Sequence, residues 1–237
     1  MSPRSGFCLP SLGSDRAYCS FIASRTARPI TVCDIDYRKA PEHPFPAALQ
    51  DAEDIVVHIT SQPTRFDVNN IFLSGFSAGG CIALSAAAML GPERIKGVAT
   101  FSAPVDLSKI YDAPEKTIVT GFVIPPAMHN LFFDAYLLPS QARKDSRVSP
   151  LFAPAESFPR HVYLACGNAD NLYTPAEMLI QKLEKAGHGD AVFATAEREA
   201  HFFEKFAKDG SETAGKRDRM YADVVDMINR ATGETRK

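Results

Sequence analysis

A serine hydroxyl becomes a useful nucleophile only when it is exposed to a base, and Gly75-Phe76-Ser77-Ala78-Gly79 has the G-x-S-x-G spacing that can expose it. Ile71, Phe72 and Leu73 supply a strand directly before the motif. The apolar run from Cys81 to Leu90 supplies a helix directly after it, with Gly91 and Pro92 as the stop. A strand-turn-helix of this kind holds the hydroxyl clear of the backbone in a strained conformation, and Gly75 and Gly79 leave room for strand and helix to approach closely. The Ala78 amide then lies at a helix N-terminus, where its N–H can stabilise a developing oxyanion. Ser74, at the end of the strand, and Ser85, inside the helix, are poorer candidates.

Such a serine needs a general base, and the base needs an acid to orient it. In the strand-turn-helix hydrolases these follow in the chain order Ser, Asp or Glu, His, with the acid after a late strand and the histidine after the last. Asp170 follows the apolar run 162–166 through Gly167-Asn168-Ala169, and His201 follows the run 191–196 through a short polar loop. Both would stand at the C-terminal edge of the sheet, as Ser77 would, where open parallel sheets bind ligands. Asp106 and Asp190 compete for the acid role, but the first follows an earlier strand and the second precedes one. His43 sits in a proline-rich turn, His58 on a helix, His129 in a long irregular stretch, and His161 and His188 before strands.

The elements that must position these residues alternate, short β-branched or apolar runs with longer segments of helical period, which is the pattern of a parallel sheet covered by helices. Five strands are expected, over 30–36, 70–75, 97–101, 162–166 and 191–196. Phe45, Ala48, Leu49, Ala52, Val56 and Ile59 mark one helical face, opened by Pro44 and Pro46. Further helices are expected over 175–186, ended by Gly187, and near the C-terminus, where Tyr221, Val224, Val225 and Ile228 form an apolar stripe. Residues 106–159 break the rhythm, with prolines throughout and more apolar surface than a solvated loop needs. They read as an insertion within one domain spanning 1–237, serving either as a cap over the site or as packing on the domain's side.

With 45% of its 237 residues hydrophobic, the chain can bury a sizeable core, and its net charge of −2 gives no basic stripe for nucleic acid or an anionic membrane. Five scattered cysteines, without C-x-x-C pairs or a metal-ligand cluster, read as reduced thiols. Neither a signal-peptide pattern near the start nor a run of apolar residues long enough to span a bilayer occurs. A cytoplasmic protein with a small-molecule partner is the expectation.

Asp36-Tyr37-Arg38-Lys39-Ala40-Pro41-Glu42-His43-Pro44-Phe45-Pro46-Ala47-Ala48 stands before the elbow Gly75-Phe76-Ser77-Ala78-Gly79-Gly80. Together with Ser146-Arg147-Val148-Ser149-Pro150-Leu151, with Gly167, Asp170 and Leu172, and with His201 and Phe203, these segments resemble the hormone-sensitive-lipase-like branch of α/β-hydrolase esterases. The resemblance runs from about Gly6 to the last helix. It implies an α/β-hydrolase fold, hydrolysis of short to medium acyl or acetyl esters through Ser77, Asp170 and His201, a cap, no cofactor and a cytosolic setting. The wording of the segments is also similar to fungal esterases that trim acetyl groups from polyketide-type metabolites.

Where that family carries an H-G-G-G-F oxyanion loop, this chain has Pro3-Arg4-Ser5-Gly6-Phe7, leaving Gly6 as the one matching glycine. Ser5, Gly6 and Ala78 are therefore the candidate oxyanion and substrate-binding residues. The family's strand before that loop and its first strands have no counterpart, so a fold lacking its N-terminal strands, with an open edge and a tendency to dimerise, is expected. A catalytically impaired or purely small-molecule-binding homologue, and a peptidase or lyase of the same fold, remain alternatives on the sequence.

Overall fold

The computed structural model describes residues 6–139 and 142–233. Its sheet has four strands, β1 (Phe72–Phe76), β2 (Gly97–Phe101), β3 (His161–Gly167) and β4 (Asp190–Ala196), ordered β1-β2-β3-β4 and parallel throughout. The helices are α1 (Arg16–Arg25), α2 (Ala47–Thr60), α3 (Ala78–Leu90), α4 (Pro126–Tyr136), α5 (Tyr173–Lys185), α6 (Phe203–Phe206) and α7 (Glu212–Ala231). Parallel strands need crossovers, and here α3 links β1 to β2 and α5 links β3 to β4.

Both faces of the sheet are covered, which is why β2 and β3 are buried at every residue rather than at alternate ones. On one face Val56 of α2, Ala83, Leu84 and Ala87 of α3, and Leu179, Ile180 and Leu183 of α5 pack on Val98, Val162 and Leu164. On the other, α1 and α7 bring Tyr18, Ile22, Met220, Tyr221, Val224 and Val225 against Phe76, Phe101 and Tyr163. The apolar stripe read near the C-terminus is the buried face of α7, whose first turn is capped by the Ser211 hydroxyl accepting from the Ala214 N–H at 3.1 Å.

Strands expected over 70–75, 162–166 and 191–196 appear with ends shifted by one or two residues, and the helix expected over 175–186 begins at Tyr173. One expectation fails. Residues 30–36 form no strand: among the described residues they have no ladder partners, and residues 31–36 are exposed. Their β-branched composition supplies propensity, but a strand needs a neighbour to pair with. The outer edge of β1 carries no paired strand among the described residues. Between that edge and residues 30–37 runs a groove of about 540 Å³, whose walls include Phe72, Phe76 and Gly79 but not Ser77, Asp170 or His201.

The close approach of α3 to the sheet depends on two glycines. A Cβ on Gly75 would lie 2.5 Å from the Gly79 carbonyl group, and one on Gly80 2.8 Å from the Ala103 Cβ. Gly79, expected from the motif to share this role, faces open space instead, with no atom from outside its own stretch of helix within 4 Å of where its Cβ would stand. Gly75→Ala should therefore lower stability by about 1–3 kcal/mol through overpacking against backbone. Gly79→Ala, inside α3 and unobstructed, should leave stability unchanged or raise it by up to about 1 kcal/mol. Urea denaturation of the two variants beside the parent chain checks this.

Candidate active site

Because the strands are parallel, their C-terminal ends share one edge, and three of the connections leaving that edge carry the predicted residues. Ser77 follows β1 directly and caps α3 with φ 49° and ψ −122°, a left-handed conformation that a side chain adopts at a cost. Its N–H donates to the Phe101 carbonyl at 2.8 Å, fixing the turn to the end of β2. Asp170 sits three residues beyond β3, and its N–H donates to the Gly167 carbonyl at 3.0 Å. His201 lies in the loop that follows β4.

These three side chains meet. The Ser77 Oγ lies 3.1 Å from the His201 Nε2, and the His201 Nδ1 lies 2.7 Å from the Asp170 Oδ2. Asp170 and His201 are fully shielded and Ser77 is 7% exposed, so the chain of hydrogen bonds runs through a water-poor interior. A carboxylate there accepts from Nδ1–H, which assigns the neutral imidazole a lone pair on Nε2, facing the serine hydroxyl. The other Asp170 oxygen accepts from the Leu172 N–H at 3.0 Å.

The loops after β3 and β4 are laced together. Asn168 N–H donates to the Ala196 carbonyl at 3.0 Å, Ala169 N–H to the Glu199 carbonyl at 2.9 Å, and Arg198 N–H to the Asn168 Oδ1 at 2.7 Å. Gly167 must be a glycine here, because a Cβ would lie 2.2 Å from the Glu199 carbonyl oxygen. The Glu199 carboxylate is buried and anchored by the Thr213 hydroxyl at 2.9 Å and the Lys216 ammonium at 3.0 Å, both on α7. None of this lacing follows from the G-x-S-x-G spacing or from chain order.

The competing groups are used elsewhere. Asp106 accepts from the Ser108 N–H at 2.8 Å and from the Tyr111 hydroxyl at 2.7 Å, and Asp190 pairs with His161 at 2.6 Å, on the opposite edge of the sheet where β3 and β4 begin. Cys166, close under Asp170, is held as a thiol because burial, reinforced by the carboxylate, pushes its pKa well up. Burial also pushes the Cys81 thiol up, to about 12, so neither sulfur offers a thiolate nucleophile. Among the described residues no group of His, Cys, Asp and Glu is arranged to hold a metal ion.

Of the oxyanion candidates, Ala78 is the first residue of α3 and is buried, so its N–H is one of the helix's free N-terminal donors beside the Ser77 hydroxyl. Gly6 adopts φ 41° against the ring of Phe132 on α4, where a Cβ would lie 2.5 Å from the ring. Phe7 stacks on Tyr136 at 4.0 Å and joins the apolar cluster that includes Ala78. Gly6 is thus carried to the α4 side of the elbow, while Ser5 lies outside the described residues.

A family model described as alpha/beta hydrolase fold matches residues 5–205, and the chain belongs to that family. The hormone-sensitive-lipase-like resemblance read from the motifs agrees with this match. Over 179 residues the chain is 30% identical to a versiconal hemiacetal acetate esterase of Emericella nidulans, covering 68% of this chain and 56% of that protein. Over 183 residues it is 28% identical to an esterase of Acinetobacter venetianus, covering 76% and 59%. The fold is similar to that of esterase LipW from Mycobacterium marinum, with a TM-score of 0.82 and 24% identity over 96% of this chain and 71% of that one. The chain spans a little over half the length of these two curated relatives.

The backbone strain at Ser77 is measurable apart from any chemistry. Both Ser77→Gly and Ser77→Ala remove the hydroxyl, but glycine accepts a positive φ freely and alanine does not. Relief of strain worth about 1–3 kcal/mol exceeds the roughly 0.4–1 kcal/mol that glycine's unfolded-state entropy costs. Ser77→Gly should therefore melt above Ser77→Ala in calorimetry.

Proposed function

We propose that the chain is a serine carboxylic-ester hydrolase that cleaves short to medium acyl or acetyl esters of small molecules through an acyl-enzyme on Ser77. The observation that carries this reading is the continuous hydrogen-bonded path from the Ser77 hydroxyl through both nitrogens of His201 to the Asp170 carboxylate. In it, His201 Nε2 takes the hydroxyl proton as Ser77 Oγ attacks the ester carbonyl, and Asp170 holds the imidazole's tautomer and stabilises the imidazolium. The proton then passes to the leaving alcohol as the C–O bond breaks. Water, deprotonated by the same imidazole, hydrolyses the acyl-enzyme and restores the serine.

The Ala78 N–H is the donor for the carbonyl oxygen as it becomes an oxyanion, with Gly6 and Ser5 as the proposed source of further donors. We assign the connection 106–159 the role of a cap. Its α4 lies against Gly6 and Phe7 at the serine side, and Phe122 stacks edge-on to the His201 ring at 5.8 Å, so its apolar residues are placed to select the acyl and alcohol groups. The relative named as an acetate esterase supports an acetyl ester as the first substrate to try. No helix of the described residues is long and apolar enough to cross a membrane, and free cysteines accord with a cytoplasmic setting. A homodimer paired through the outer edge of β1 belongs to the same proposal.

A second reading, a ligand-binding or catalytically weak homologue, is favoured by one observation: Pro3, Arg4 and Ser5 stand where related loops carry a histidine and two glycines. Losing one oxyanion donor costs about 10²- to 10³-fold in rate. A fluorophosphonate probe separates the two. The proposed enzyme is labelled, Ser77→Ala and His201→Ala are not, and Asp170→Asn lowers kcat/KM on a p-nitrophenyl acetate or butyrate ester by up to about 10⁴-fold. A folded parent chain that resists the probe would make the binding reading the better one.

A further inference from the structure

His201 sits in a loop with no regular structure of its own, yet its backbone is paired, residue by residue, with the long β2–β3 connection. Val119 N–H donates to the Arg198 carbonyl at 2.8 Å and Ala200 N–H to the Thr120 carbonyl at 2.9 Å. His201 N–H donates to the Phe122 carbonyl at 3.1 Å, and the Phe122 N–H returns to the His201 carbonyl at 3.2 Å. Gly121, at φ 89°, lies so close that a Cβ would sit 2.6 Å from the His201 carbonyl oxygen and 2.7 Å from that of Ala200. The last of these bonds reaches the residue whose imidazole faces the serine.

A few residues further on, the same connection grips the acid loop. Asn171, directly after Asp170, is buried, and its Nδ2 donates to the Ile124 carbonyl at 3.0 Å and lies 2.9 Å from the Nε2 of His129 on α4. Since an amide NH₂ only donates, His129 Nε2 must be the acceptor, and the ring is neutral. Burial, which pushes the His129 pKa down, favours that form. The Asn171 Oδ1 has no partner among the described residues, so the amide is held entirely through its donors.

We propose that Asn171 and His129 form a polar latch which, with the Gly121 contact, makes residues 119–129 of the β2–β3 connection a positioning clamp for both Asp170 and His201. The clamp explains why a connection so rich in proline departs from the sheet only to return to it. Strands β3 and β4 bring the two loops to the same edge, but the loops' outer faces are fixed from the connection's side. Alignment of the acid with the base then depends on the packing of α4, which links the substrate-facing side of the site to its proton-transfer side. This proposal rests on the esterase reading for its effect on rate, but the latch itself can be read without it.

The test compares His129→Leu, which removes the acceptor, with His129→Gln, whose Oε1 can take the place of Nε2. Amide hydrogen exchange at Asn171, Leu172, Ala200 and His201 reads the latch, and the rate of fluorophosphonate labelling reads alignment. His129→Leu should speed exchange at these amides and slow labelling about tenfold to 10²-fold, while His129→Gln keeps both near the parent values. Exchange and labelling unchanged in His129→Leu, or lost equally in both variants, would overturn the proposal. If His129→Leu does not fold, Asn171→Ala and Gly121→Ala carry the same comparison against His129→Gln. A parent chain that the probe does not label retires the esterase reading instead, and hydrogen exchange alone then decides whether the latch holds the two loops.

Discussion

The hydrogen bond between Asp170 and His201 constrains everything around it, because both side chains are fully shielded from solvent. A carboxylate taken out of water is costly unless its lone pairs are met, and here the imidazole N–H and the Leu172 amide meet them. That requires two separate loops to end within a few tenths of an ångström of a fixed arrangement. The register of β3 against β4, paired from His161 with Asp190 to Gly167 with Ala196, brings the loops out of the sheet side by side. Hydrogen bonds from the Asn168 and Ala169 amides to the Ala196 and Glu199 carbonyls, with one from the Arg198 amide back to the Asn168 side chain, then bind them into one unit.

The serine side of the site is built by a different means. Strain at the Ser77 backbone persists because the turn is held from both ends, by pairing of β1 with β2 and by the burial of α3 along most of its length. The gap left by Gly75 and Gly80 lets the helix lie close on the strands, with Ser77 as its N-cap. The two constructions share the β2–β3 pairing beneath them, and their functional side chains meet at the contact between Ser77 Oγ and His201 Nε2. The β2–β3 connection touches both, resting α4 on Gly6 and Phe7 near the elbow while pairing with the histidine loop through Phe122.

Much of this was legible in the sequence because it follows local rules. Alternating apolar runs and helical faces located β1 to β4 and helices α2, α3, α5 and α7 but not α1, the G-x-S-x-G motif singled out Ser77, and chain order singled out Asp170 and His201 from their competitors. The rest depends on contacts between distant segments. Residues 30–36 have strand composition but no pairing partner among the described residues, so propensity alone misled. Gly79 belongs to the motif, yet it is Gly80 whose hydrogen atom is required by the approach of Ala103, a residue with no sequence relation to it. His129 and Asn171 lie far apart in the chain, and neither shows in the sequence that the other is its partner.

The Asp170–His201 hydrogen bond must exist in solution if the site is assembled there. Proton NMR observes it directly, since an imidazole Nδ1–H donated to a buried carboxylate is shielded from exchange and resonates far downfield of the amides. Such a resonance is expected in the parent chain and in Ser77→Ala, and is expected to disappear in Asp170→Ala. A cooperatively folded parent chain with no resonance there, or one that survives in Asp170→Ala, would contradict this expectation.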